Sequence, residues 1–395
     1  MPAATPEFTP INLITGFLGS GKTTLLKRLL LQPALADAAV LINEFGQIGL
    51  DHHLLERIDD TMVLLPSGCL CCTIRGELAD ALRALHSRRE RGEVPWFRRV
   101  VIESTGLADP FPIASTVHAD PVLRHHFRLG QIVTVVDAVH AESQFEAHEQ
   151  SVRQAAVADQ LVLSKTALAG PLRTQALIAR LRKFNPLAPL HDAEKDALDA
   201  GSLLCAGLFD LGAKSAQAQR WFAAERTPAL WPDFAARAAA EAKTDTAPDT
   251  APEQDAGRYL ARAVAAPPAS SRHADEWAAF CVTLDAPLDW TRFGLWLTAL
   301  VHRRGQDILR IKGLLNVQGS DTPVALHGVQ QLIHAPEHLA AWPDQSRASR
   351  LVFIARGLDP LRVQRSLGAF LGVGVGVGVV AAPVAAQAGA ASVSR

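Results

Sequence analysis

The chain has 395 residues, 48% of them apolar, which fits about two domains of about 100–200 residues each and excludes a disordered chain. Its 39 basic and 40 acidic side chains leave a formal charge of −1, which excludes a dedicated nucleic-acid binder and a strongly charged membrane-binding face. Of its five cysteines, three crowd together as Cys69, Cys71 and Cys72. Adjacent cysteines bridge only with strain, so the pattern predicts reduced thiols and a cytoplasmic setting, and no disulfide framework.

The first ten residues, MPAATPEFTP, lack the basic region and apolar core of a signal peptide. Residues 11–15 (INLIT) read as a strand that runs into GFLGSGKTT, and LLKRLLLQ then shows helical spacing. Residues 39–45 (AVLINEF) read as a second strand, and MVLLPSGCLCC as a short apolar run ending in a turn. Residues 77–88 are amphipathic; RRVVIEST, QIVTVVDA and DQLVLSK are three further strands. Short apolar strands alternating with helices predict an α/β fold, a P-loop NTPase with a mostly parallel sheet covered by helices on both faces. The pattern weakens after Phe209, and residues 238–256 are Ala/Thr/Asp/Pro-rich without apolar periodicity. The organisation expected is 1–215 for the P-loop domain, 216–270 for a helical or linker region and 271–371 for a smaller C-terminal α+β domain. A low-complexity tail, 372–395, completes it. The uncharged stretch from Ser366 to Ser394 is long enough to span a membrane, but Gly, Ala, Ser, Pro383 and Gln387 dilute it. A flexible tail is therefore expected in preference to a span.

Gly16-Phe17-Leu18-Gly19-Ser20-Gly21-Lys22-Thr23 satisfies G-x-x-x-x-G-K-[ST] at every fixed position, with a strand before it and a helix after it. In such a loop the amides around Gly16, Gly19, Ser20 and Gly21 point at phosphate oxygens, and the helix starting through Thr24 adds its positive end. Lys22 can span the β- and γ-phosphates, and the Thr23 hydroxyl can ligate Mg²⁺. A second Mg²⁺ anchor is expected on a neighbouring strand. Glu103 in Glu103-Ser104-Thr105-Gly106 is the first candidate and Asp137 the second; either could be an ordinary strand-end carboxylate. Gly106 would let a backbone N–H approach the γ-phosphate.

Cys69-Leu70-Cys71-Cys72 follows Gly68. Thiolates crowded on one turn suit Zn²⁺, without excluding Co²⁺ or Ni²⁺, and three sulfurs leave a position open for transfer. A buried, inert cysteine group is the alternative. Glu44 is either a further metal ligand or a solvated loop carboxylate, and His52, His53, His118, His125 and His126 are expected to be isolated surface side chains.

With GFLGSGKTT, Asn43-Glu44-Phe45-Gly46, Gly68-Cys-Leu-Cys-Cys, Glu103-Ser-Thr-Gly-Leu-Ala-Asp-Pro110 and Val136-Asp137-Ala138 in this order, the chain resembles the CobW-type P-loop GTPases. Leu309-Arg-Ile-Lys-Gly313 and Arg350-Leu-Val-Phe-Ile354 look like that family's second domain. The family is similar to the urease and hydrogenase nickel-insertion GTPases. The resemblance implies a GTP-hydrolysing metallochaperone that uses Lys22, Thr23, Glu103 and Gly106 with Mg²⁺. It also implies a metal held at Cys69, Cys71 and Cys72 and passed to a client metalloprotein, most often as zinc. A metal-responsive module with little hydrolysis, or a cobalt chaperone tied to cobalamin synthesis, are the alternatives. No base or arginine finger can be named, so turnover is expected to be slow, and the client and any homo-oligomer stay open. One departure concerns the base. Relatives of this kind select guanine through [N/S/T]-K-x-D, and the matching segment here is Ser164-Lys165-Thr166-Ala167. Lys165 can still lie over the base, but Ala167 accepts no hydrogen bond. Losing a charged acceptor removes about 1.5–3 kcal/mol, which predicts guanine selectivity blunted about ten- to a hundredfold.

Overall fold

The computed structural model describes residues 8–42, 62–64, 73–205, 277–343, 346–372 and 376–378. The first part of the chain runs β1 (Thr9–Thr15), α1 (Lys22–Leu30), β2 (Ala38–Ile42), β3 (Met62–Leu64), α2 (Thr73–Glu90) and β4 (Arg99–Glu103). It continues with α3 (Pro110–Ala119), α4 (Leu123–His126), β5 (Phe127–Asp137), α5 (Ala141–Ala147), α6 (Glu149–Val157) and β6 (Gln160–Ser164). Then come α7 (Thr166–Ala169), α8 (Pro171–Phe184) and β7 (Leu190–Asp192). The strands form one sheet in the order β3-β2-β4-β1-β5-β6-β7, with every neighbouring pair parallel. A parallel sheet is covered on both faces, so its strands must be apolar throughout, and all five residues of β2 (AAVLI) are buried. Leu25, Leu26 and Leu29 of α1 cover one face. Leu82 of α2, Ile113 of α3, Val152 of α6 and Leu181 of α8 belong to the core on the other. The expected α/β fold is the one observed.

The second part contains β8 (Trp277–Leu284), α9 (Trp290–Arg304), β9 (Ile308–Leu315), β10 (Val324–Val329), β11 (Leu332–Ile333) and β12 (Glu337–His338). β13 (Ser349–Arg356), α10 (Pro360–Leu371) and β14 (Gly376–Gly378) complete it. Its antiparallel sheet has the order β11-β10-β9-β13-β8-β14, with β12 beside β10. Asp289 and Asp359 cap α9 and α10, accepting from the N–H groups of Arg292 and Leu361. These helices cover one sheet face around Trp296 and Phe353. The other face contributes Trp277, Ala279 and Ile354 to the same core as α6 and α8, so the two sheets share one apolar interface.

Alternation along β9 puts Arg310 and Lys312 on that shared face. Both are buried against the carboxylate of Asp159, which sits just before β6. Arg310 Nη2 pairs with Asp159 Oδ1, Lys312 Nζ lies 3.0 Å from the same oxygen, and the Ile132 N–H donates to Oδ2 at 3.1 Å.

Within the tail expected from residue 372, residues 376–378 form an edge strand: Gly376 and Gly378 pair with Thr283 and Cys281 of β8. An open sheet edge presents unpaired backbone groups and accepts a strand whatever its side-chain pattern. The run PVALHGVQQLIHA is a hairpin, β10 and β11, reversed at Gln330 with φ 52. The boundaries at 215/216 and 270/271 and the remainder of the tail lie outside the described residues. No helix among the described residues is long and apolar enough to cross a membrane.

Candidate nucleotide-binding site

The phosphate loop leaves the carboxyl end of β1. At Gly16 φ is 139, and a Cβ there would stand 2.2 Å from the Val135 carbonyl oxygen, so only glycine lets the loop cross the end of β5. Ser20 N–H donates to Phe17 O at 3.2 Å and closes the loop. The first turn of α1 carries no acid and no side-chain cap, which leaves its amides to an anion. Lys22 is 8% exposed and its Nζ donates to Phe17 O at 3.0 Å. Burial pushes its pKa down, with Glu103 opposing.

The β1–β4 register pairs Ile14 with Glu103, one strand over from the loop. Thr23 Oγ1 donates to Glu103 Oε1 at 2.6 Å, and Glu103 is only 3% exposed. A hydroxyl and a carboxylate oxygen converging at the loop are hard donors of the kind Mg²⁺ takes, so these residues fit that ion. Asp137, the second candidate, is engaged elsewhere. It accepts from the Val139 N–H at 2.8 Å, His140 Nδ1 at 2.9 Å and Lys165 Nζ at 2.7 Å. Burial alone would raise its pKa, but Lys165, His140 and the Val139 amide outweigh burial and hold it low.

Lys165 adopts the left-handed conformation, φ 58, and its Nζ also donates to Gly19 O at 2.9 Å. Ser164 Oγ donates to Ser20 O at 2.7 Å. The end of β6 is thus tied to the phosphate loop. Beside it lies a cavity of about 250 Å³ lined by Gly21, Thr24, Val162, Ser164, Lys165 and Glu194, among others.

On the opposite flank the Glu103-Ser104-Thr105-Gly106 turn packs on the loop. Ser104 N–H donates to Ile14 O at 3.0 Å. A Cβ on Gly106 would lie 2.6 Å from the backbone nitrogen of Leu18. Gly106→Ala must therefore push the turn off the loop and is expected to lower unfolding stability by about 1–3 kcal/mol in a urea titration. An unchanged midpoint would show that the turn has slack. Buried Gln154 of α6 holds the same turn, its Nε2 donating to Gly106 O at 3.1 Å and Ala108 O at 2.9 Å. Asp109 caps α3 through the Phe111 N–H, while its Oδ2 accepts from Arg153 at 3.4 Å and from Gln330 of the second sheet at 3.3 Å.

Lys22, Thr23, Glu103 and Gly106 are therefore brought together with the loop and with Ser164 and Lys165. Glu44, Cys69, Cys71 and Cys72, with His52 and His53, lie outside the described residues. Among the described residues no group of three or more His, Cys, Asp or Glu is placed to hold a metal ion. His118 and His125 border a cavity of about 500 Å³ that also meets His327 and His334 of the second sheet. His126 stacks on His86 with ring centroids 4.0 Å apart, so these histidines are not isolated as expected. Gln154 and Glu194 escaped the sequence reading, because nothing in local spacing marks them.

Residues 10–192 match the description "CobW/HypB/UreG, nucleotide-binding domain", and residues 277–371 match "Cobalamin synthesis protein cobW C-terminal domain". The zinc chaperone YjiA of Escherichia coli is 30% identical over 344 residues, covering 87% of this chain and 93% of that protein. The zinc-regulated GTPase metalloprotein activator 1 of Schizosaccharomyces pombe is 33% identical over 203 residues, 50% of this chain and 48% of that one. The crystal structure of the Zn(II)-bound YjiA GTPase from E. coli aligns with a TM-score of 0.60 at 26% identity, covering 92% of this chain and 99% of that one. With both domains matched and a relative aligned along most of its length, the chain belongs to the CobW/HypB/UreG family of nucleotide-binding proteins.

Proposed function

We propose that the chain is a GTP-hydrolysing metallochaperone that carries a thiolate-bound metal, zinc in first place, to a client metalloprotein in the cytoplasm. The observation that carries the hydrolytic half is the 2.6 Å contact between Thr23 and Glu103 at the mouth of a loop whose lysine is already buried. In this reading Lys22 offsets charge spreading over the γ-phosphate oxygens, and the first-turn amides of α1 hold the phosphates in place. Thr23 and Glu103 would hold Mg²⁺, which supplies charge neutralisation between the β- and γ-phosphates when bound. Gly106, pressed against Leu18, is the turn best placed to register a γ-phosphate. Gln154 and Asp109 carry that turn's position to α6 and to the hairpin at Gln330.

The metal half rests on the Cys69-Leu70-Cys71-Cys72 motif and on the relatives named as zinc chaperones. Coupling between two sites is reciprocal, so nucleotide state must alter metal affinity if metal alters nucleotide binding. Titration of Zn²⁺ into the GDP- and GTP-loaded protein is expected to give affinities that differ about fivefold or more. Cys71→Ala/Cys72→Ala should abolish tight binding in both states. Equal affinities in the two states would sink the coupling, and undiminished binding by the double variant would move the metal elsewhere.

A further inference from the structure

Ala167 removes the carboxylate that the guanine-selecting segment normally carries, yet the structure puts another carboxylate at that position. Glu194, in the turn after β7, reaches back so that its Oε2 accepts the Ala167 N–H at 2.7 Å and lies 3.1 Å from Thr166 Oγ1. Among the described residues its Oε1 receives no hydrogen bond. Glu194 lines the 250 Å³ cavity together with Lys165, and Gly21 and Thr24 line both that cavity and the phosphate loop. A ligand with its phosphates on the loop would therefore place its base and ribose here.

The turn is held in place on several sides. Arg28 of α1 donates to Ala193 O at 2.5 Å and to Asp196 O at 3.3 Å. Glu194 N–H donates to Asp192 Oδ1 at 3.0 Å, and Asp192 N–H to Asp196 Oδ2 at 2.7 Å. A carboxylate presented on such a turn is pre-positioned, and as a pure acceptor it has a sharp preference among purines. Guanine offers two adjacent donors, the ring N1–H and the 2-amine. Hypoxanthine keeps only N1–H. Adenine presents an unprotonated ring nitrogen and xanthine a 2-carbonyl, each of which meets the carboxylate lone pair to lone pair.

Resting on the GTP reading above, we infer that Glu194 is the guanine-specificity residue of this chain, supplying from the β7 turn the acceptor that Ala167 lacks. Selectivity for guanine is then retained and not blunted as Ala167 alone predicts.

Competition by GTP, ITP, XTP and ATP against a fluorescent GTP analogue, on the full chain, tests this. The wild type should favour GTP over ITP and ATP by about tenfold or more, the range for a hydrogen bond to a charged acceptor. Glu194→Gln turns one acceptor into a donor, so it should weaken GTP about tenfold or more and strengthen XTP, and ATP with it, because the new amide donor meets an acceptor on either base. Adding Ala167→Asp to Glu194→Gln should restore the GTP preference. Equal affinity of the wild type for GTP and ITP overturns the inference without any variant. So does a Glu194→Gln protein that binds all four in the wild-type ratios, which would leave Glu194 as a cap for the turn alone. A wild type that binds no nucleoside triphosphate overturns the GTP reading itself, and this inference with it.

Discussion

Asp159→Ala is expected to remove about 3–5 kcal/mol of stability, the range for breaking a buried ion pair by deleting one partner. The size follows from what the deletion leaves behind. Arg310 and Lys312 stay buried on the inward face of β9, with no carboxylate between them and the low-dielectric interface. The same contacts fix the sign of the pH dependence. Burial would raise the Asp159 pKa, but Arg310, Lys312 and the Ile132 amide outweigh burial and hold it at about 2, below the usual 3.8. Its contribution is therefore complete above pH 3.8 and is lost as the pH falls toward 2. Lys312 is pushed down from 10.5 to about 8, by burial first, with Asp159 opposing and Arg310 adding to it. A lysine depressed in the folded state penalises folding while it is charged, so stability should rise as the pH climbs from about 8 toward 10.5. Lys312→Met removes the surplus cation and should be neutral or stabilising at neutral pH, in contrast to Asp159→Ala. Urea midpoints for the wild type and both variants across this pH range decide the matter. A mild Asp159→Ala, or a Lys312→Met as damaging as Asp159→Ala, would show that the cluster is hydrated and weak.

This cluster also marks the limit of what the sequence discloses. The phosphate loop and the Glu103 turn are contiguous motifs whose chemistry depends on spacing, and the structure brings Lys22, Thr23, Glu103 and Gly106 to one place. The parallel sheet was legible for a similar reason, since buried strands such as AAVLI need apolar residues at every position. Arg310 and Lys312 in LRIKG look like the wet face of a half-exposed strand. Only the packing of the second sheet on α6 brings them to Asp159, more than a hundred residues earlier. Glu194 sits in HDAEKD, which reads as a solvated turn until β7 pairs with β6 and returns it to Ala167. Proximity of this kind comes from strand order, which local periodicity does not encode. Gln154 was invisible because a lone glutamine within an amphipathic helix carries no signal of the backbone carbonyls it will hold.

Lys22→Ala should lower the turnover number for GTP by about 10²–10³, the cost of deleting one preorganised donor at developing oxyanion charge. The structure adds a second, opposite expectation for the unliganded protein. Lys22 is 8% exposed, burial depresses its pKa, and among the described residues its ammonium donates to the Phe17 carbonyl alone, with Glu103 as the compensating charge. A cation kept in such a place is strained in the absence of phosphate, so the variant should unfold no more readily than the wild type, and even less readily. That opposition separates function from folding: activity falls while the thermal midpoint holds or rises. Lys22→Arg should not rescue hydrolysis, because a planar guanidinium cannot occupy a pocket shaped for a compact ammonium beside Phe17 O. Phosphate release under single-turnover conditions, with thermal unfolding of the same preparations, gives both readouts. Unchanged hydrolysis in Lys22→Ala would remove the loop from the chemistry. A variant that lost activity and stability together would assign Lys22 to holding the loop's shape, with its charge contributing little to the transition state.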